Sequence, residues 1–361
     1  MFVKIKKILI IAGAISILTF FEVALAQTQI ALWICGTDEK TLESFQSIAE
    51  RWQEKNPDIK IEILSVEEAT LMERAMTALA TNSLPDMIYH PLEFSVRLAE
   101  KDVFSSDIAT EIIEKMGKET FSEGALKIVK YREKFAALPV DGWSMLLVWR
   151  KDLIENGGFP PPQSWEEIEK IATSLHRPPL LWGIEVPTSF EHEYTQQVVE
   201  TLSLQRGVRL VDQNGSVNLN TPEFADTLRF YKKLSKFTPP GNIYEFHTKM
   251  DYLGGRCVMS FFPSSILTEL CQPSQKYPSL QDIYKKTGFT ALINSPGSSQ
   301  YFGGNYIGIT TKVRDKNLIE RFVEFLLNDE YLFWLASRPQ IMLPLRKGNR
   351  ENLQKFVLEW Q

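Results

Sequence analysis

The chain has 361 residues, 40 Lys and Arg against 45 Asp and Glu for a net charge of −5, and 44% hydrophobic and 24% charged residues. That is a foldable globular composition whose length points to roughly two domains. It excludes disorder, collagen and coiled coil, and with no long basic run it argues against a nucleic-acid partner.

Lys4, Lys6 and Lys7 precede an almost unbroken apolar run from Ile8 to Phe21, and Ala24-Leu25-Ala26 gives a small-x-small pattern before Gln27. These are the parts of a secretory signal peptide, with cleavage expected after Ala26. The apolar run of about 14 residues is short of the roughly 20 that a spanning helix needs. Cleavage removes three Lys and Glu22, which takes the net charge from −5 to −7, and leaves a periplasmic protein. No Cys follows Ala26 directly, so a lipid anchor is not expected. The three cysteines are too few for a disulfide scaffold; Cys257 and Cys271 either pair or stay buried thiols.

In the mature chain, Gln29 to Ile34 reads as a buried strand, Cys35 to Asp38 as a turn, and Thr41 to Asn56 as an amphipathic helix with Leu42, Phe45, Ile48, Ala49 and Trp52 at helical spacing. A strand over Ile59 to Val66, a helix over Ala69 to Ala80 and a strand over Met87 to Tyr89 follow. Such alternation implies a mainly parallel sheet with its ligand crevice beyond the carboxyl ends of the strands, where the turns at Gly36 to Glu39, Glu67 to Glu68 and His90 to Glu93 open. Further on come an apolar strand, Met145 to Trp149, a boundary at Pro160-Pro161-Pro162, and a helix opened by the N-cap Ser164. The second half repeats the mixed pattern: helices at Glu193 to Leu204 and Thr221 to Lys236, a polar hairpin at Asp212 to Gly215, strands at Arg256 to Phe262, Phe289 to Ile293 and Tyr306 to Thr310, and a last amphipathic helix at Leu318 to Asn328.

Seven segments in this order, Trp33-Ile-Cys-Gly-Thr-Asp, Leu84-Pro-Asp-Met-Ile-Tyr, Leu138-Pro-Val-Asp, Trp149-Arg-Lys-Asp-Leu, Pro162-Gln-Ser-Trp-Glu-Glu, Gly255-Arg-Cys-Val-Met and Gly303-Gly-Asn-Tyr-Ile-Gly-Ile, resemble the bacterial extracellular solute-binding proteins of family 1. That family includes the maltose-binding and glycerol-phosphate-binding proteins of ABC importers, and the resemblance runs from about residue 29 to 345. It implies an α/β fold, a two-lobed clamshell of the type II periplasmic-binding-protein kind. Each lobe would be a mainly parallel sheet flanked by helices, with three crossings between lobes near Pro139 to Trp143, Phe289 to Asn294 and Ile309 to Lys312. Lobe I would be 27–140 with 294–310, and lobe II 143–290 with 312–361. A small solute would bind between the lobes, closure would present it to a membrane permease, and the protein would act as a monomer without cofactor or metal.

Site residues follow from matching motifs. Thr37 and Asp38 match a position of polar ligand contacts, though Asp there also caps a helix. Tyr89, His90 and Glu93 lie at the mouth of the third strand, with Glu67 and Glu68 at that of the second. Trp143 aligns with a hinge position that faces ligand in the maltose-binding relative, where a Glu stands; an aromatic ring there favours stacking, with Asp141 beside it as an acceptor. In the second lobe Glu191, His192, Glu193 and Tyr194 sit where the family presents acidic and aromatic groups. Phe262, Ser264, Ser265, Gly304, Asn305 and Tyr306 complete the expected rim, Trp33 adds an aromatic surface, and Arg346 either reaches ligand or is a surface charge. Relatives run further past Leu343-Pro344-Leu345, which leaves the ligand class open.

A secreted glycan hydrolase would need a carboxylate pair, for which Asp141 and Glu191 are the candidates. No Gly-x-Ser-x-Gly elbow, phosphate-binding Gly loop or dinucleotide fingerprint occurs, and the four His form no His-x-x-x-His pair, so neither catalysis nor a metal is expected. A sugar, oligosaccharide or polyol leads as ligand, a cationic solute supported by the acidic residues comes next, and a phosphorylated one follows. A sensor in place of the permease is the other partner.

Overall fold

The computed structural model describes residues 28–36, 39–211, 216–271, 283–291, 293, 299, 301–329, 334–335 and 342–347. The expected signal peptide, Thr37, Asp38, the polar hairpin at 212–215 and the end of the chain from 348 lie outside the described residues.

Lobe I begins with β1 (Thr28–Cys35), α1 (Glu39–Lys55), β2 (Ile59–Val66), α2 (Leu71–Ala80) and β3 (Met87–Pro91). Alternation along β1 turns Ile30, Leu32 and Ile34 onto Phe45, Ile48 and Trp52 of α1. β1 pairs in parallel with β2 on one side and β3 on the other, as helical crossovers require. The helices α3 (Phe94–Glu100), α4 (Ser106–Lys115) and α5 (Glu123–Ile128) and a short hairpin, β4 (Lys130–Tyr131) with β5 (Lys134–Phe135), lead into β6 (Leu138–Arg150), 13 residues long.

Lobe II follows with α6 (Lys151–Asn156), α7 (Trp165–Leu175), α8 (Glu193–Gln205), α9 (Pro222–Leu234), α10 (Glu245–Leu253), β7 (Met259–Pro263), α11 (Ile266–Cys271) and β8 (Thr287–Thr290). Ser164 caps α7 as expected, accepting from the Glu167 N–H at 3.1 Å. Last come β9 (Phe302–Ile309), α12 (Lys316–Glu324) and β10 (Leu343–Pro344).

The first half of β6, Leu138 to Ser144, pairs with β9, while its second half, Met145 to Arg150, pairs with β7 and β8. One strand therefore belongs to both lobes. Two main cores flank it: one gathers β1, α1, β9 and α12, the other α7, α8, α9, β7 and the far half of β6. Trp143, half-buried, packs against both. The fold is the two-lobed clamshell, but its sheet is mixed, in the order β10-β6-β9-β3-β1-β2, because β9 lies antiparallel to both β3 and β6.

The lobe boundaries differ from expectation after Ile309. Leu318, Ile319 and Phe322 of α12, with Trp334, Leu335 and Leu345, pack in the lobe I core: the Trp52 and Phe322 rings are 5.5 Å apart, and Phe45 and Trp334 5.0 Å. Among the described residues the chain crosses twice, along β6 and between β8 and β9, and the core residues described after Ile309 pack with lobe I, not lobe II. Cys257 is a buried free thiol that donates to the Met259 carbonyl at 2.9 Å, so it does not pair with Cys271. No described helix is long and apolar enough to cross a membrane.

Candidate functional site

Cys35 ends β1, Glu68 and Glu93 follow the carboxyl ends of β2 and β3, and Glu193 opens α8 in lobe II. Glu68 is exposed at the mouth of the cleft, and its carboxyl lies above the usual range, first through partial burial and then through the charges of Glu93 and Glu193 and a hydrogen bond with Glu93. Burial, followed by Glu68 and Glu93, pushes the half-buried Cys35 thiol up to about 12. Tyr301, just before β9, is raised by burial and then by Glu200, Glu193 and Glu93, while Gln196 hydrogen-bonds its hydroxyl. Its ring lies 5.6 Å from that of Trp143. Carboxylates from both lobes thus act on Glu68 and on Tyr301, whose ring packs against Trp143 at the hinge. Such a set accepts hydrogen bonds and offers flat apolar faces.

Gln196, Glu200 and Tyr301 were not among the sequence candidates. Glu193, Gln196 and Glu200 recur at spacings of three and four, one face of α8, which is the signal that would have found them. Tyr301 sits in a segment without periodicity and carries no such signal.

Three candidates meet in a different role. Asp141 is fully buried; Tyr89 donates to its Oδ2 at 2.7 Å and Asn305 Nδ2 to its Oδ1 at 2.8 Å. This knot ties β3, β6 and β9 together where β6 leaves lobe I, so Asp141 is neither a cleft acceptor nor half of an exposed carboxylate pair with Glu191. Gly304 lies in the same region, its carbonyl accepting from the Leu92 N–H at 3.0 Å. An added Cβ at Gly303 would stand 2.5 Å from the Trp143 ring, and one at Gly142 2.6 Å from the Gly303 carbonyl, so these glycines permit the close approach of β6 and β9.

Other candidates turn inward. His90 is fully buried, its ring stacked 5.0 Å from Phe104, and burial lowers its pKa to about 4. Tyr194 is buried and donates to the Phe261 carbonyl. Phe262 lies in a small core with Tyr252 and Val148. Tyr306 is buried as well. Trp33 turns toward α2 and lines a recess of about 580 Å³ bounded by Asn82 to Pro85 and Arg314, at the amino end of β3 and away from Glu68 and Glu93. Arg346 donates to Thr120 Oγ1 at 3.0 Å, to the Leu327 carbonyl at 2.8 Å and to the Met116 carbonyl at 3.1 Å, bracing lobe I instead of reaching the cleft. Glu67 is exposed beside Glu68, and Glu191 and His192 are exposed on the loop before α8. Ser264 exchanges hydrogen bonds with Ser144 at the hinge, with half-buried Ser265 next to it.

Residues 37–332 match the family of bacterial extracellular solute-binding proteins. The chain belongs to this family. Among its relatives, the putative ABC transporter periplasmic-binding protein YcjN of Escherichia coli K12 is 24% identical over 304 residues, 82% of this chain and 68% of that protein. A mannitol-binding protein of Pseudomonas aeruginosa is 23% identical over 226 residues, 60% of this chain and 50% of that one, so the chain spans about half the length of this second relative. A solved structure of an ABC-transporter solute-binding protein of Thermotoga lettingae, bound with α-D-tagatose, superposes with a TM-score of 0.68 at 20% identity, covering 92% of this chain and 85% of that one.

Proposed function

We propose that this protein is the solute-binding component of an ABC importer, working outside the cytoplasm, and that it holds a neutral polyhydroxylated solute, a sugar, oligosaccharide or polyol, in the inter-lobe cleft. The observation that carries the reading is the meeting of Glu68 and Glu93 of lobe I with Glu193 of lobe II beside Trp143 and Tyr301. Carboxylates accept hydrogen bonds from sugar hydroxyls, and aromatic faces stack on the apolar face of a ring. The names of two relatives, one mannitol-binding and one bound to tagatose, support the same class. A ligand that touches both lobes favours the closed form, which a membrane permease would recognise.

A second reading has its own support. The charges that raise Glu68 and Tyr301 come from the carboxylates of Glu93, Glu193 and Glu200, so a solute carrying a protonated amine would find counter-charge beside aromatic rings. A thermal-shift panel separates the two, using neutral sugars, polyols, sugar phosphates and the polyamines putrescine and spermidine. A true ligand at a hundredfold over its Kd stabilises by about 2.7 kcal/mol. A response to polyamines alone, lost in high salt, overturns the polyhydroxyl reading; a flat panel overturns both. Sequencing the amino terminus of the exported protein tests cleavage after Ala26.

A further inference from the structure

We propose that His90, sealed inside lobe I near the end of β3, is an acid trigger: in an acid medium its protonation opens the turn from β3 to α3, which carries Glu93, and loosens that edge of lobe I. The device is independent of the solute; that it would also weaken the hold on a solute rests on the cleft reading above.

The ring is packed among aromatic neighbours. His90 is fully buried, stacked 5.0 Å from Phe104 and 6.5 Å from Tyr306, the residue opposite it in the β3–β9 register. Phe104 has room there because β9 carries Gly308, where an added Cβ would stand 2.2 Å from the Phe104 ring. His90 Nδ1 lies 2.8 Å from the Pro91 carbonyl. A carbonyl only accepts, so Nδ1 holds the proton of the neutral ring and Nε2 is the atom left to titrate. Nε2 is buried without a partner.

A charge on Nε2 would go unbalanced. The hydroxyls of Tyr306 on β9 and Ser95 on α3 are fully buried, without partners and neutral, and burial raises the Tyr306 phenol further. Ile88, Phe94, Leu98 and Phe104, which form the core on this side of β3, are apolar. The nearest carboxylates are engaged elsewhere: Asp141 with Tyr89, whose side chain leaves β3 on the opposite face, and Asp86 with Arg314, while Glu93 is exposed beyond the turn. Burial accordingly holds the imidazole down from 6.5 to about 4, against a smaller upward pull from the Pro91 carbonyl. An opened chain takes up the proton near the ordinary value of 6.5, so the stability that His90 confers is fully present above that pH and is lost as pH falls toward 4. The turn that must give way is held by few bonds: Leu92 N–H donates to the Gly304 carbonyl at 3.0 Å and Ser95 N–H to the Leu92 carbonyl at 3.1 Å. For Nε2 to reach water the ring must leave Phe104 and Tyr306, which draws Pro91 to Glu93 away from Gly304.

The test is hydrogen–deuterium exchange of the purified free protein between pH 4.5 and 7, each rate divided by the intrinsic rate at that pH. Peptides spanning 87–99 should exchange faster at pH 4.5 than at pH 6 by about an order of magnitude, the ratio set by a proton taken up at 6.5 when open and at about 4 when closed. Peptides of α7 in lobe II should change little. His90→Phe, which keeps a ring beside Phe104 and Tyr306 but cannot be protonated, should abolish the rise. Should that variant fold poorly, the wild type carries a second readout: in NMR spectra of protein with ¹³C-labelled histidine, the His90 ring should still be neutral at pH 5.5, its protonation following the rise in exchange. A His90 ring that is half-protonated near pH 6.5 while residues 87–99 stay protected overturns the trigger. A rise that persists in His90→Phe, or that is equal in both lobes, overturns it too. No solute is added, so failure here leaves the polyhydroxyl reading standing, and failure of that reading leaves this result untouched.

Discussion

Glu185 offers the sharpest test of the energetics. Its backbone is held in lobe II by a parallel bridge to Ser260, with its N–H donating to the Met259 carbonyl at 2.9 Å and Ser260 Oγ donating back at 2.8 Å. The side chain is fully buried and stands beside the Asp251 carboxylate. Arg256 would be the natural counter-ion, but it is paired with Asp251. Burial, then the neighbouring Asp251, pushes the Glu185 carboxyl from 4.5 up to about 9, against a smaller opposing pull from Arg256. The folded protein thus keeps Glu185 protonated at neutral pH, whereas the unfolded chain ionises it. The unfolded state binds fewer protons between pH 4.5 and 9, so this group's contribution is fully present below 4.5 and is lost as pH rises through that window. At pH 7 the loss amounts to roughly 3 kcal/mol, taking about 1.4 kcal/mol for each pH unit above the unfolded value. Glu185→Gln has the same shape, cannot ionise, and can donate its amide to the nearby Asp251 carboxylate. Urea unfolding followed by tryptophan fluorescence across pH 4.5 to 8 should show the variant equal to wild type at the acid end and more stable by roughly 2–3 kcal/mol at neutral pH. Parallel stability curves for the two proteins over that range would refute a neutral buried carboxyl.

Gly303→Ala should drive a Cβ into the Trp143 ring, 2.5 Å away, and lower stability by about 1–3 kcal/mol; adding Trp143→Ala should recover part of that loss, and an additive double variant would show that the two do not touch. Arg346→Met removes a guanidinium that holds Thr120, Leu327 and Met116, and thermal unfolding should report a loss of about 1.5–3 kcal/mol with solute affinity unchanged. A variant that stays stable but binds solute poorly would return Arg346 to the cleft.

Much of the lobe I edge was legible because one rule, that ligands gather at the carboxyl ends of parallel strands, needs only the strand boundaries. It placed Glu68 and Glu93 from the ends of β2 and β3. The same rule fails one residue away. Met87, Ile88, Tyr89 and His90 are all buried, since β3 lies inside the sheet with both faces covered, and no alternation distinguishes the side chain that faces the cleft from one that stacks on Phe104. In lobe II, Tyr194 is followed by Val198 and Leu202 on the buried face of α8, while Glu193, Gln196 and Glu200 line the other, so a helical projection separates them where the motif EHEY does not. The error at α12 has another source. An amphipathic helix declares that it has a core-facing stripe, but Leu318, Ile319 and Phe322 would fit either core, and only the path of the chain after β9 decides between them.

The placement of the polar residues around β6 also bears on how the two halves move. Within lobe I the strand is held by the Tyr89, Asp141 and Asn305 knot and by β10, whose Leu343 and Pro344 pair with Gly142 and Asp141. Beyond Trp143 the ties change: the Ser144 hydroxyl donates to the Tyr301 carbonyl at 3.1 Å, and the Ser144 N–H reaches Ser264 Oγ at 3.3 Å. A buried carboxylate with two donors resists bending, because any opening would strand it without a partner, whereas hydroxyl contacts at a half-buried surface exchange with water at little net cost. Bending should therefore concentrate between Trp143 and Met145 on β6 and around Tyr301 on the returning chain. Glu68 and Glu93 then stay fixed to the braced half, and Glu193, Gln196 and Glu200 travel with α8, so under the proposed function the distance between these two acidic groups is the coordinate that a bound solute would set.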